Sequence, residues 1–447
     1  ARKRQKMTLT FAVIGTGAMG LEHIRNLKLV EGVKVIAVAD SNSAQRDEAA
    51  ALLDKDAKIL DDYKALREIE GLDVLVIATP NYHHIEILRE VVPWKRHLLV
   101  EKPLCTTIQD CYEVRDLVAE HMPQAEVPNG GPVFWVGMEY RYMPPIAKLL
   151  DVADGGALGQ IHMVHIREHR FPFLLKIDNW NRFSANTGGT LVEKCCHFWD
   201  LMRRILRNQG NRALKVYASA GTDVNHIDER YPGNGRGKGA AEAGAAEGAG
   251  AERGDGVPDI VDNAFVVVDF EGGARACLDL CMFAEDRQHE EVSAVGSLGK
   301  VHAEAPACLV THHTPKQRAS GPRPSNSHLP PPPGSYEANT TVEKVEVDAS
   351  LLEAGFHEGA TFFELSAFLD AVRNRAPAVV SLEDGLAAVA IGVAAELSAK
   401  QGRVVTIAEV LEANNSGATG AETEPSKARK ESEGGTGGNG AAKRQKA

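Results

Sequence analysis

Over the first 140 residues, short apolar runs alternate with amphipathic stretches. Thr8–Ile14 is a run of strand formers followed at once by Gly15-Thr16-Gly17-Ala18-Met19-Gly20. Leu21, Ile24, Leu27 and Val30 then recur at helical spacing. Val33–Ala39, Asp73–Ala78, His97–Val100 and Val133–Met138 repeat the strand pattern, and helices are expected from about Tyr82 and over 107–120. Strands alternating with helices predict a doubly wound parallel sheet. After Gly159 the pattern changes. Gln160–Ile166, Asn263–Phe270, Arg275–Met282, Val292–Val295 and Val301–Ala303 predict strands without regular helices between them. Glu271-Gly272-Gly273 and Gly296–Gly299 mark hairpin turns, so the second sheet is expected to be mostly antiparallel and open. Ala264–Val268 is apolar without a break, which calls for cover on both faces: helices on one, and a second subunit or an exposed patch on the other.

Three stretches lack the material of a core. Pro232–Gly256 and Ala413–Ala447 contain no Val, Ile, Leu, Met, Phe, Tyr or Trp, and 313–335 carries the tetraproline Pro330–Pro333. Such segments do not offset the entropy of ordering a chain. The reading is therefore a basic N-terminal tail over 1–7, a first domain over 8–132, and a second over 133–412 interrupted by insertions near 232–256 and 313–335. A tail over 413–447 completes the chain. The basic runs at 1–6 and 443–446 are taken as solvated ends, with a nuclear address as the alternative.

Composition narrows the classes. Of 447 residues, 43% are hydrophobic and 25% charged, an ordinary globular balance. A net charge of −11 argues against nucleic acid as a partner. No apolar run is long enough to span a membrane, and no signal-type apolar region follows the basic start. Seven cysteines without a CxxC pair fit reduced thiols in the cytoplasm.

The glycine turn carries the first chemistry. Gly15 allows a tight turn, Gly17 lets a pyrophosphate approach the backbone, and Gly20 allows the helix to pack on the strand. Ala18 and Met19 lie at the helix start, whose free N–H groups and positive dipole end suit phosphate. Asp40 ends the second strand twenty residues past Gly20. Its carboxylate suits adenosine ribose hydroxyls and repels a 2′-phosphate, which favours NAD over NADP; Arg46 nearby softens that preference. Thr79-Pro80-Asn81 and Glu101-Lys102-Pro103 follow later strands, at the sheet edge where ligands bind.

These residues resemble the glucose–fructose oxidoreductase and inositol dehydrogenase family, known as Gfo/Idh/MocA. The resemblance rests on VIGTGAMG (13–20), ATPNYHH (78–84), EKP (101–103), GGTLVEKCCHFWDL (188–201), HEG (357–359) and SLEDGLAAV (382–390), and covers about 8–410 apart from the insertions. It implies an N-terminal Rossmann domain plus a C-terminal α+β domain, and an NAD cofactor cradled by Gly15 to Gly20, Asp40, Thr79, Pro80, Asn81, Glu101 and Lys102. It also implies a homo-oligomer, dimer or tetramer, and a polyol or sugar as the small-molecule substrate.

Glu193 and His197 are four residues apart on one expected helical face. By resemblance Lys102, Glu193 and His197 form the catalytic set. Lys102 would bind the substrate hydroxyl and hold the nicotinamide, and His197 would exchange the proton. Glu193, where the family more usually has Asp, would orient the surroundings or bind a neighbouring hydroxyl. Lys194 offers a second cation off the Glu193 face. Cys195 and Cys196 beside His197 do not have zinc-ligand spacing and are taken as small buried residues, so no metal is expected. Tyr140, Arg141, Arg170 and Trp180 are candidate substrate contacts, with Arg167, Asn181 and His357 nearby. Asp262-Asn263 reads as a turn. The favoured activity is hydride transfer between NAD and a secondary alcohol or ketone of a cyclic polyol or sugar. A non-catalytic dinucleotide sensor and an NAD-assisted glycosidase are the alternatives.

Overall fold

The computed structural model describes residues 8–123, 130–225, 227–231, 256–284, 287–315 and 338–415. The N-terminal tail 1–7, and most of the stretches 232–256, 313–335 and 413–447, lie outside the described residues. At their edges two expectations are corrected. A strand runs through Pro315, and a helix, Ile407–Asn415, enters the expected tail. Among the described residues no helix is long and apolar enough to cross a membrane.

Six parallel strands form the first sheet: β1 (Leu9–Ile14), β2 (Val33–Ala39), β3 (Lys58–Leu60), β4 (Val74–Ile77), β5 (His97–Glu101) and β6 (Phe134–Gly137), in the order β3-β2-β1-β4-β5-β6. β4 and β6 are buried along their whole length, as strands covered on both faces must be. Because β6 pairs with β5, the parallel sheet extends beyond the expected boundary at 132. The order turns at the β1–β4 neighbours, which brings the glycine turn after β1 beside the loop after β4. A Cβ on Gly15 would lie 2.8 Å from the Ala78 carbonyl and from Thr79 Cγ2, and the residue has φ +86°. Open sheets bind ligands at such a switch point.

The second sheet has nine strands: β7 (Ile161–His169), β8 (Ala213–Gly221), β9 (Asn263–Phe270), β10 (Arg275–Cys281), β11 (His289–Gly296), β12 (Lys300–Ala305), β13 (Leu309–Pro315), β14 (Ala338–Lys344) and β15 (Val405–Thr406). Their order is β14-β13-β12-β11-β7-β10-β9-β8-β15. Only β7 and β10 pair in parallel. Glu271–Gly273 turns the chain between β9 and β10, as the glycines predict. Helices Cys196–Ile205, Leu382–Gln401 and Pro144–Asp154 pack on the inner face, over rows such as Val216, Val268, Ala276, Val164 and Ala294. The outer face is open in a single chain, with Phe265 67% exposed and Met163, Val267 and Tyr217 beside it.

Candidate active site

The helix Ala18–Leu29 starts without a side-chain cap and without an acid in its first turn, so its N-terminal N–H groups remain available to an anion. A Cβ on Gly20 would lie 2.0 Å from the Gly15 carbonyl oxygen, so only glycine lets the turn close on the helix. A Cβ on Gly17 would point into open space, the gap a pyrophosphate needs. Asp40 ends β2 and holds this turn: its Oδ2 accepts the Thr16 N–H at 2.7 Å, and its Oδ1 accepts the Asn42 N–H at 2.8 Å. Arg46 binds the Asp40 and Ser41 carbonyls and so flanks the acid.

The loops after β4 and β5 complete this edge. Thr79 Oγ1 and Asn81 Nδ2 are buried and lack protein partners. His84 links the two loops, with Nδ1 2.9 Å from the Pro103 oxygen and Nε2 3.2 Å from the Thr79 oxygen. Burial holds its imidazole below the usual range. Glu101 faces inward, 2.6 Å from His23 of the first helix, and so ties that helix to the strand that presents Lys102.

On the opposite side, the expected continuous helix is broken. Thr190–Glu193 and Cys196–Ile205 are separate helices joined by a turn at Lys194–Cys195, so Glu193 and His197 do not share one helical face. Glu193 turns to Lys102, whose Nζ lies 3.2 Å from Oε1 and 3.3 Å from the Glu193 carbonyl. Burial works against both charges, but each outweighs it for the other. Lys102 is held above the usual lysine range, and Glu193, aided by Lys176, below the usual carboxylate range. His197 makes no hydrogen bond to either. It stacks on Tyr140 at 4.0 Å and 8°. Burial, followed by the charges of Lys102, Lys194 and His357, keeps its imidazole neutral well below the usual histidine range. Its Nδ1 is buried with no partner.

Tyr140 is the hub of a polar cluster. Its hydroxyl donates to Glu290 at 3.1 Å and accepts from Lys194 Nζ at 2.6 Å and from Gln288 Nε2. Lys194 Nζ also lies 2.8 Å from Glu168. Glu168 and Glu290 stand directly opposite each other on β7 and β11, on the inner face. Burial, then Glu168, raises the Glu290 carboxyl. His357 lies 3.4 Å from the Tyr140 hydroxyl and 3.0 Å from Glu139, whose charge outweighs burial and holds the imidazole above its usual range.

Of the expected substrate contacts, Tyr140 and Arg170 belong to this cluster, and Trp180 packs edge-on against Tyr82, 6.1 Å away. Arg141 is a correction. Its guanidinium is buried on Asp200, with Nε 2.6 Å from Oδ2, and also meets Asp384 and the Val379 carbonyl, so it braces helices instead of reaching into the cleft. Arg167 is another. It pairs with Glu291 on the outer face, because alternation along β7 turns it away from Glu168. Cys195 and Cys196 are fully buried, and burial pushes the Cys196 thiol up to about 12. Among the described residues no three His, Cys, Asp or Glu side chains are grouped to hold a metal ion. Asp262 accepts the N–H groups of Asp223, Val224 and Asn225 and acts as a turn anchor.

The open space at Gly17, the uncapped helix and the unpartnered Thr79 and Asn81 atoms fit a dinucleotide laid across the strand ends. Comparison with known proteins agrees. Residues 9–127 match the model of an oxidoreductase family's NAD-binding Rossmann fold, and 153–407 match the same family's C-terminal alpha/beta domain. The chain belongs to the Gfo/Idh/MocA oxidoreductase family. As such it is an NAD-dependent oxidoreductase. It is 24% identical over 403 residues to myo-inositol 2-dehydrogenase of Thermotoga maritima, covering 90% of this chain and all of that one. It is 30% identical over 215 residues to inositol 2-dehydrogenase of Salmonella paratyphi B, covering 47% of this chain and 58% of that enzyme. Levoglucosan dehydrogenase in complex with NADH has a similar fold, with a TM-score of 0.68 and 18% identity over 89% of this chain and 99% of that one.

The candidate-site residues that sequence reasoning missed in this Gfo/Idh/MocA oxidoreductase are Glu168, Gln288, Glu290 and the His84 clamp. Glu168 and Glu290 left a signal, the latter by alternating with Val292 and Ala294 along β11. Val164, Ile166 and Glu168 alternate along β7, which puts the carboxylate on the apolar side.

Proposed function

We propose that the chain oxidises a secondary alcohol of a cyclic polyol or sugar, with Lys102, Glu193 and His197 at the reaction centre. The observation that carries this reading is a charged lysine, paired with a carboxylate, at the same sheet edge as the glycine turn and near a buried neutral imidazole. The Lys102 ammonium binds the substrate oxygen and stabilises negative charge that develops on it. Glu193 orients Lys102 and takes a neighbouring hydroxyl. His197 is already deprotonated at neutral pH and accepts the hydroxyl proton, a role that fits a buried ring nitrogen left without a partner. NAD+, held by Gly15 to Gly20, Asp40, Thr79 and Asn81, supplies the hydride acceptor when bound, so the carbinol carbon loses hydride and its oxygen loses a proton to give a ketone. The names of the inositol dehydrogenases it resembles support a polyol.

The test is NADH formation from NAD+ with a panel of inositols, aldoses and dihydrodiols. A signal dependent on one polyol class is expected. NADH binding without turnover on any member would favour a sensor or an enzyme that regenerates its own NAD. The reading includes a homo-oligomer through the open face around Phe265, since an apolar patch of this kind is usually covered; light scattering at the mass of one chain would remove that part.

A further inference from the structure

The reaction proposed above leaves a buried pair of acids unused. Glu22 lies on the helix Ala18–Leu29, five positions past its N-cap Gly17. Its Oε1 is 2.7 Å from the hydroxyl of Thr361, on the helix Ala360–Asn374. The same hydroxyl is 3.0 Å from Oε2 of Glu139, which follows β6. All three residues are buried, with Glu22 2% exposed.

A threonine hydroxyl has one hydrogen. It can donate to one of these carboxylates, and to the other it presents only a lone pair. Two ionised carboxylates would leave one close oxygen–oxygen contact without a hydrogen, in the interior, where an unmade hydrogen bond costs most. One proton on the pair removes the conflict: the protonated acid donates to Thr361, and Thr361 donates to the other acid. The surroundings decide which acid holds it. Among the described residues Glu22 forms no ion pair, because the imidazoles near it, His23 and His357, go to Glu101 at 2.6 Å and to Glu139 at 3.0 Å. The backbone at Gly355 closes on the Glu22 carboxyl, since a Cβ there would lie 2.4 Å from Oε1. The charges that act on Glu22 from further off are Glu139, His357 and His23. Burial, then Glu139, raises its carboxyl to about 7, and the two imidazoles do not offset this. Burial also opposes the charge of Glu139, but His357 and Thr361 outweigh it and hold that carboxyl below its usual range.

The helix carries this acid towards the cofactor. Five residues of helix rise about 7.5 Å, and helical side chains lean back towards the N-terminus. That N-terminus is uncapped, and the space beside Gly17 is where a pyrophosphate fits. An ionised Glu22 would repel the phosphates along a buried and weakly screened path, and a neutral one would not.

We infer that Glu22 and Glu139 share one proton across Thr361, and that dinucleotide binding is linked to it. The form that holds the proton binds the pyrophosphate more tightly, and where the proton is missing, binding transfers one from solvent to the Glu22 carboxylate. The inference asks nothing of the substrate, so it stands or falls apart from the proposed reaction.

The experiment titrates the protein with ADP-ribose, which carries the pyrophosphate and no nicotinamide. Calorimetry from about pH 6 to 9, in two buffers of different ionisation enthalpy, gives both affinity and proton uptake. Parent affinity should fall about 10-fold or more over this range, with net uptake in its upper half. Glu22→Gln copies the protonated acid, because its amide donates to Thr361 and cannot ionise. It should keep most of the low-pH affinity up to about pH 9 and lose the uptake. Glu139→Gln removes the like charge, so the fall in affinity should move to lower pH, and it provides the test should Glu22→Gln fail to fold. A flat parent profile, equal slopes in the parent and Glu22→Gln, or a midpoint unmoved by Glu139→Gln overturns the linkage. A pH dependence seen with NADH and not with ADP-ribose assigns the proton to the nicotinamide side and also overturns it.

Discussion

The two sides of the cleft are made of different material. The cofactor side is largely backbone: a glycine turn, a helix N-terminus and strand ends, with Asp40 closing it from 24 residues away. The glycine turn, the helix start and Asp40 lie within one βαβ unit, and the turn's demands are steric, so the sequence shows them as glycines at fixed spacing. The substrate side is largely side chain. Lys102, Tyr140, Glu168, Lys194, Glu290 and His357 come from segments up to 255 residues apart and meet only through the fold, with Lys194 Nζ on both Tyr140 and Glu168 and His357 on Tyr140. Recognition written in backbone geometry needs particular residues at particular positions. Recognition written in charge needs only a balance, which many arrangements provide.

The largest effect should come from the substrate side. Lys102→Ala removes the cation that neutralises Glu193 and that, in the proposed reaction, binds the substrate oxygen. Turnover should fall by about 10²–10⁴-fold while NADH affinity, carried mainly by the glycine turn, changes little. Turnover within a few-fold of the parent would take Lys102 out of the reaction, and parallel loss of NADH binding would mean the two sides are not separable.

On the cofactor side the effect should be smaller and confined to selectivity. Asp40→Asn keeps an oxygen for the Thr16 N–H, so the turn is preserved, but removes the charge that excludes a 2′-phosphate. The NADPH-to-NADH ratio of affinities should rise about 10-fold, read by fluorescence titration. An unchanged ratio would give the discrimination to some other group, and a parent that already prefers NADPH would refute the reading of Asp40.

The same contrast explains what could be read in advance. The parallel sheet, the glycine turn and the hairpin at Glu271–Gly273 follow from local periodicity and turn chemistry. Strands β13 and β14 escaped because His312, His313 and Thr340 give an edge ladder little apolar pattern. The break between Glu193 and His197 escaped because Lys194 and Cys195 carry no breaker residue. At the break Lys194 reaches across to Glu168, a tertiary contact, and Cys196 Sγ donates locally to the Glu193 carbonyl. Arg141 looked like a cleft residue because it adjoins Tyr140, yet its partner Asp200 lies 59 residues on.

A third effect, on stability and not on catalysis, lies where the two kinds of construction join. Gly188 and Gly189, both at positive φ, open the segment that carries Glu193, and Glu396 of the helix Leu382–Gln401 lies against Gly189. It accepts the Leu191 N–H at 2.8 Å, and a Cβ on Gly189 would lie 2.2 Å from its Oε1. Burial raises this carboxyl from 4.5 to about 7, although the Leu191 hydrogen bond opposes the rise. The sign follows from proton counting. Between pH 4.5 and 7 the folded chain holds a proton here that the unfolded chain has lost. The stabilisation is therefore complete below about 4.5, and it is lost as pH rises through about 7. Glu396→Gln keeps the acceptor and cannot ionise. It should gain on the parent as pH rises from about 5 to 8, by at most about 3 kcal/mol, or on the order of 5 °C in Tm. Only the difference between the two proteins matters, because Glu22, also raised to about 7 by burial and by Glu139, titrates in both. Parallel Tm curves across this range would mean that Glu396 is charged in the folded protein, and that the glycine turn is pinned by an anion and not by a neutral acid.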